Sequence, residues 1–218
     1  TKIMNLNKYI DHTLLKPVAT TKDIINLCNE AIKYNFYSVC VNSSYVALAK
    51  ECLKDSSVKV TSVCGFPLGM METSAKAYEA DMALMQGADE IDMVINIGRL
   101  KDKDYDYIIE EIATVAEIVH DYDGILKVII ETSMLTDEEK VKACQLAVNG
   151  NCDFVKTSTG FSTGGATVKD VKLMKQTVGS FAKVKASGGI RDKETAFSMI
   201  EAGADRLGVS ASIEIVNQ

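Results

Sequence analysis

Two lysines, Lys156 and Lys185, stand inside short apolar runs, and each is followed by a turn rich in serine and glycine, in KTSTG and KASGG. A lysine in a buried strand is unusual because burial penalises the charged ammonium form. If the two runs form neighbouring strands, the amines share one space and repel, so at least one loses its proton more easily. A neutral amine is what attack on a carbonyl requires, so the pair predicts Schiff-base chemistry. The alternative is that the lysines reach solvent or hold structural carboxylates.

Asp92, in EIDMVIN, is the acidic residue of the predicted site. A carboxylate inside an apolar strand needs a cationic partner, and we expect Lys185 to supply it across the lumen of a barrel. Such a carboxylate can relay protons while a carbinolamine forms and loses water. A purely structural salt bridge to Lys185 is the alternative. Four other charged residues lie at strand entrances, and we expect solvent to cover them: Asp89, Glu90, Lys127 and Lys183.

Glycines and hydroxyl groups follow the last three apolar runs and predict an anion site made of Gly160, Gly188, Gly189, Gly208 and Ser210. Barrel enzymes often bind phosphate after strands 7 and 8, on loop amides and a short extra helix. The segment SASIEIV could form that helix. Plain turn geometry is the alternative reading of the glycines.

On the first strand, side chains alternate in direction, so Asp11 and Thr13 share one face. We expect both to face the lumen and the substrate. His12 then points the other way, as a packed or hydrogen-bonded structural histidine.

Eight β-rich runs alternate with helical patterns, which predicts a single-domain (β/α)8 TIM barrel over residues 1–218. Several runs are continuously apolar, as expected for parallel strands covered on both faces. An open doubly wound sheet is disfavoured, since no GxGxxG follows the first run. The predicted strands are Tyr9–Leu14, Ser38–Asn42, Lys59–Phe66, Glu90–Asn96, Ile125–Glu131, Phe154–Ser158, Lys183–Ser187 and Arg206–Ser210. The clearest helical patterns cover 20–35, 72–86, 103–120, 136–150 and 192–202.

Composition excludes several other classes of protein. The 218 residues carry a net charge of −6 without a basic block, so we expect no nucleic-acid partner. No apolar stretch suits a membrane span or a signal peptide, and none of the six cysteines forms a CxxC pair, so we expect a cytoplasmic protein. Without a histidine pair or a suitable carboxylate cluster, we expect no metal and no cofactor.

Nearly the whole chain resembles the deoxyribose-phosphate aldolases, which are class I aldolases with a TIM-barrel fold. The resemblance is carried, in order, by YIDHTLLKP, SVCVN, VCGFPLG, EIDMVINIG, LKVIIET, FVKTSTGF, KASGGIR and GADRLGVS. KTSTGF and KASGGI are the most specific of these segments. The resemblance implies that Lys156 forms the Schiff base, that Lys185 lowers the pKa of Lys156 and that Asp92 relays protons.

The same resemblance implies reversible cleavage of 2-deoxy-D-ribose 5-phosphate to D-glyceraldehyde 3-phosphate and acetaldehyde, with the phosphate at the predicted anion site. It is also compatible with a homodimer. Two departures from the family stand out. Ser43 replaces a common proline, which we expect to change only a loop, and Ala211 interrupts a common pair of hydroxyl residues after strand 8. The alternatives are another Schiff-base sugar-phosphate aldolase and a catalytically silent barrel that binds sugar phosphates.

Overall fold

The computed structural model describes residues 5–218, over which eight parallel strands close into a barrel in the order β1 to β8. Each strand pairs with the next, and β8 pairs with β1. The predicted TIM barrel is therefore confirmed. The strands are β1 (Ile10–Leu14), β2 (Ser38–Val41), β3 (Lys59–Cys64), β4 (Glu90–Val94), β5 (Ile125–Ile129), β6 (Phe154–Lys156), β7 (Lys183–Ser187) and β8 (Arg206–Val209).

Most of the predicted strands are one or two residues too long at their carboxyl ends. Asn96, Glu131, Ser158 and Ser210 leave the sheet and enter the loops at the mouth of the barrel. Asn96 caps the helix that follows it, and the carboxylate of Glu131 accepts hydrogen bonds from Thr159. The hydroxyl of Ser158 donates to that of Thr157, and the hydroxyl of Ser210 donates to the carbonyl of Thr13 on β1. The apolar pattern thus continues beyond the last residue of each of these strands, at the carboxyl end of the barrel, where such folds build their active sites.

Helices cover the outer face of the barrel. They are α1 (Thr21–Tyr34), α2 (Val46–Leu53), α3 (Thr73–Met85), α4 (Ile97–Lys101), α5 (Tyr105–Asp121), α6 (Asp137–Asn149), α7 (Val168–Val178), α8 (Lys193–Ala202) and α9 (Ser212–Val216). Capping boxes open two of them, with Thr20 and Asp23 at α1 and Thr136 and Glu139 at α6. The sequence patterns did not single out α2, α4 and α7, which are only 8, 5 and 11 residues long and show few turns of periodicity. No helix among residues 5–218 is long and apolar enough to cross a membrane.

The apolar core lies between the strands and the helices, whereas the lumen of the barrel is polar. Two residues that we expected to be solvated are buried there: Lys127 is fully buried and Glu90 is 2% exposed. The prediction was wrong because Lys127 is the register partner of Asp92 and lies at the same depth in the barrel. Lys183 is exposed and Asp89 is half-buried, nearer to the expectation.

Candidate active site

Lys156 and Lys185 are direct register partners on the neighbouring strands β6 and β7. Both side chains point into the lumen, where Lys156 is 3% exposed and Lys185 is fully buried. The predicted meeting of the two amines is therefore confirmed. The short strand β6 ends at Lys156, so this amine stands at the mouth of the barrel.

The carboxylate of Asp92 binds three lysines. Its Oδ2 lies 3.0 Å from Lys156 Nζ and 3.0 Å from Lys185 Nζ. Its Oδ1 accepts a hydrogen bond of 2.9 Å from Lys127 Nζ. The predicted contact between Asp92 and Lys185 is confirmed, and Asp92 also joins the two amines through one oxygen.

Asp11 holds Lys185 from the other side. Its Oδ2 lies 2.5 Å from Lys185 Nζ, while its Oδ1 accepts bonds from Ser38 Oγ at 2.6 Å and Arg206 Nη1 at 3.2 Å. Asp11 thus faces the lumen as predicted, but it is fully buried and its carboxylate is occupied by side chains of the protein.

A further pair of contacts completes the lumen network beneath the amines. Glu90 Oε1 lies 2.6 Å from Lys127 Nζ and 2.8 Å from Arg206 Nη1. Among the described residues, this network joins four basic side chains to three carboxylates. An excess charge in a buried cluster is costly, so the network is balanced when one of its lysines is neutral.

The electrostatics select Lys156 as that lysine. Burial and the neighbouring Lys185 cation lower the pKa of Lys156, and the attraction of Asp92 offsets them only in part. Burial opposes the charge of Lys185 as well, but Asp11 and Asp92 together raise its pKa. The lysines hold the pKa of Asp92 well below its usual value against the effect of burial. Of the two amines, Lys156 is therefore the one that loses its proton more easily, whereas the charged form of Lys185 is favoured.

A cavity of about 700 Å³ opens above the network at the carboxyl ends of the strands. Lys156 lines it, whereas Asp92, Lys185 and Asp11 lie beneath its floor. The volume suits a small organic ligand. The structure places the remaining predicted site residues on its wall: Thr13, Gly160, Gly188, Gly189, Gly208 and Ser210.

Two of these glycines are required by close approaches. A Cβ on Gly208 would lie 2.8 Å from Lys185 Cε, so only glycine lets this lysine pass β8. Gly188 has a φ of +87°, and its added Cβ would lie 3.0 Å from Gly165 Cα. Gly188 thus lets its loop lie close to the loop of Gly165.

The segment after β8 forms the predicted short helix, α9. Ser210 Oγ donates to the carbonyl of Thr13 at 2.9 Å. Ala211 lines the cavity, whereas Ser212 is fully buried and bonds to His12. Ser212 therefore does not replace, at the cavity, the second hydroxyl group that many members of the family carry at the position of Ala211.

Sequence reasoning missed three charged residues of the lumen network, Lys127, Glu90 and Arg206. It also missed five other charged residues that line the cavity: Lys16, Asp23, Glu30, Arg191 and Glu214. The criterion applied to Lys156 does not find Arg206, because Arg206 follows Asp205 and begins the apolar run RLGV rather than standing inside it.

Comparisons of the sequence relate the chain to known proteins. The model of the DeoC/LacD family of aldolases matches residues 6–214. A deoxyribose-phosphate aldolase from Finegoldia magna is 62% identical over 213 residues, covering 98% of this chain and 99% of that protein. Another from Thermococcus gammatolerans is 60% identical and covers 98% of this chain and 96% of its own.

Solved structures agree in fold along nearly the whole chain. A crystal structure described as a putative deoxyribose-phosphate aldolase from Coccidioides immitis has a TM-score of 0.96 at 43% identity, covering 100% of this chain and 86% of that one. A deoxyribose phosphate aldolase from Aeropyrum pernix, described as a tetramer, has a TM-score of 0.91 at 31% identity, covering 97% and 89%.

Proposed function

The chain belongs to the DeoC/LacD family of aldolases, and from that premise we propose that it cleaves 2-deoxy-D-ribose 5-phosphate reversibly to D-glyceraldehyde 3-phosphate and acetaldehyde. It is a carbon–carbon lyase of the class I type. The observation that carries the proposal is the amine of Lys156, which stands on the floor of the cavity 3.0 Å from Asp92 Oδ2. Its pKa is lowered while that of Lys185 is raised, so a neutral nucleophile faces the substrate.

The proposed reaction begins when Lys156 Nζ attacks the aldehyde carbon C1 of the open-chain sugar, and loss of water gives the imine. The imine is protonated, and a water molecule takes the proton of the C3 hydroxyl as the C2–C3 bond breaks. The electron pair of that bond moves to the protonated imine and forms the enamine. Glyceraldehyde 3-phosphate then leaves. Protonation of the enamine at C2 and hydrolysis of the imine release acetaldehyde and restore the amine.

Asp92 and Lys185 are the proposed partners of Lys156 in these steps. Asp92 contacts the amine of Lys156, so protons can pass between these two groups during dehydration and hydrolysis. Lys185 contacts the same carboxylate oxygen of Asp92. Lys185 stays charged between two carboxylates and disfavours the ammonium form of Lys156. The role of Lys185 is therefore electrostatic.

The phosphate is proposed to lie at the wall made by Gly160, Gly188, Gly189, Gly208 and Ser210, which all line the cavity. Backbone amides at glycine-rich loops bind anions well. Lys16 and Arg191 line the same cavity and add positive charge. Thr13 is proposed to contact the sugar part of the substrate, and Asp11 is proposed to act on it indirectly, through its ion pair with Lys185.

We also propose a domain organisation, a cellular compartment and an oligomeric state for the protein. Residues 1–218 act as one catalytic domain, because one barrel contains all the site residues. The protein works in the cytoplasm, a reducing compartment that suits its six free cysteines. It assembles as a homodimer, which light scattering can distinguish from a monomer or a tetramer.

The proposed function is tested by incubating the protein with 2-deoxy-D-ribose 5-phosphate and measuring the two products separately. Acetaldehyde and D-glyceraldehyde 3-phosphate should appear in equal amounts, and Lys156→Ala should form neither. Turnover of a different sugar phosphate, with none of this one, would assign the site to another aldolase activity. Binding without turnover would contradict the catalytic proposal.

A further inference from the structure

His12, one of two histidines in the chain, packs beside the loop that we propose to hold the phosphate. It points away from the lumen, and its ring centroid lies 5.1 Å from that of Phe36. The residue is 4% exposed and reaches the edge of the cavity. Its register partner is Val209, the last residue of β8, so its ring lies next to the segment that follows that strand.

Both ring nitrogens of His12 face other elements. Nδ1 lies 2.6 Å from Ser212 Oγ, at the first residue of α9. Nε2 lies 3.6 Å from Glu30 Oε1 on α1, beyond hydrogen-bond distance. Ser212 Oγ also lies 3.3 Å from the carbonyl of Val209, so its one proton serves either that carbonyl or Nδ1, and the tautomer of His12 follows from that choice. Burial lowers the pKa of His12 to about 4 although Glu214 opposes the shift, so the ring is neutral near pH 7.

Two hydroxyl groups therefore tie the segment 208–212 to β1 from opposite sides. Ser210 Oγ donates to the carbonyl of Thr13 on the cavity side. Ser212 Oγ bonds to the ring of His12 on the buried side. Between them, Ala211 lines the cavity without a side-chain bond of its own. We expect these two hydrogen bonds, from Ser210 and Ser212, to fix the position of the backbone amides of the segment 208–212.

We propose that His12 is a positioning residue for phosphate recognition, acting through Ser212 to hold the segment 208–212 against the phosphate. The inference rests on the proposed function, since it concerns the non-reacting end of the same substrate. His12 has no contact with Lys156 or Asp92 in the lumen network, so its effect is on binding the phosphate rather than on forming the Schiff base.

The test compares four single variants with the unaltered chain. His12→Leu removes the ring nitrogen, and Ser212→Ala removes the hydroxyl with a smaller change of volume. His12→Asn keeps an acceptor the same number of bonds from the backbone as Nδ1. The matched control is His120→Leu, which removes the other histidine. His120 Nε2 bonds to Asp153 at 2.8 Å, at the opposite end of the barrel.

For each protein, kcat and KM are measured with 2-deoxy-D-ribose 5-phosphate and with unphosphorylated 2-deoxy-D-ribose, and the Kd for inorganic phosphate by calorimetry. Loss of one hydrogen bond predicts a rise of about fivefold in the KM for the phosphate ester and in the phosphate Kd. This rise is expected in His12→Leu and Ser212→Ala, with kcat nearly unchanged. His12→Asn and His120→Leu should resemble the unaltered chain.

Unchanged phosphate affinity in both His12→Leu and Ser212→Ala would overturn the inference. An equal loss of kcat/KM with both sugars would also overturn it, because general damage to the site does not distinguish the phosphate. If His12→Leu does not fold, Ser212→Ala carries the test. If the unaltered chain cleaves neither sugar, the proposed function fails, and the phosphate Kd values still decide the role of His12.

Discussion

Replacing Lys185 by methionine removes the cation that lies beside Lys156. Each amine is 3.0 Å from Asp92 Oδ2, so the two nitrogens are at most about 6 Å apart. At that distance and an effective dielectric constant of about 20, their repulsion is about 3 kcal/mol. Such an energy changes the neutral fraction of Lys156 roughly a hundredfold. Because the variant also leaves Asp92 with one cation fewer, this is the smallest change expected.

The direction of the effect follows from the proposed reaction, which uses the neutral form of Lys156. Losing a neighbouring cation raises the pKa of Lys156, so the acidic limb of kcat/KM against pH moves to higher pH. On that limb, Lys185→Met should be slower by roughly a hundredfold or more. The pH at which kcat/KM falls tests the role of Lys185 even if the maximal value of kcat/KM also changes.

Lys183→Met is the matched control, because Lys183 lies two residues earlier on β7 and is exposed. It should leave the profile unchanged. Circular dichroism checks that Lys185→Met folds, and Asp11 keeps Arg206 as a partner at 3.2 Å in that variant. A folded Lys185→Met with an acidic limb at the original pH would refute the electrostatic role of Lys185.

Three further predictions concern other features of the barrel. Lys76 and Glu111 form a fully buried ion pair at 2.5 Å, so Lys76→Met should lower the free energy of unfolding by about 3–5 kcal/mol in urea denaturation. Adding Glu111→Leu should recover most of that loss, and no recovery would contradict the cause. Gly208→Ala should lower kcat at least about tenfold, because its Cβ meets Lys185 Cε at 2.8 Å, and steady-state kinetics near those of the unaltered chain would contradict this steric account. Burial raises the pKa of Cys40 to about 11, so native protein at pH 8 should resist iodoacetamide at this position, as peptide mapping can show. Rapid alkylation of Cys40 would contradict that prediction.

The meeting of the two lysines was predictable from the sequence because lysine inside an apolar strand is costly and therefore informative. Lys156 and Lys185 stand in runs that read as strands, and neighbouring parallel strands bring equivalent positions together. The capping boxes that begin with Thr20 and Thr136 are likewise local, since each is made by two residues three positions apart. In each case a few adjacent residues contain the whole physical reason.

The lower part of the site depends on the register between strands, which local patterns do not contain. Lys127 looked like a strand entrance, yet pairing with β4 brings it level with Asp92. Glu90 and Arg206 lie on strands far apart in the chain and meet only across the closed lumen. The charge balance that lowers the pKa of Lys156 follows from that closure, so predicting it required the three-dimensional arrangement.

The central claim is that Lys156 forms a covalent imine, and reductive trapping tests it most directly. The protein is incubated with acetaldehyde and sodium borohydride, and its intact mass and peptide map are then measured. We predict a single reduced ethyl group on Lys156, and none in Lys156→Ala. A folded protein that gains no adduct, or one modified at Lys185 instead, would contradict the account.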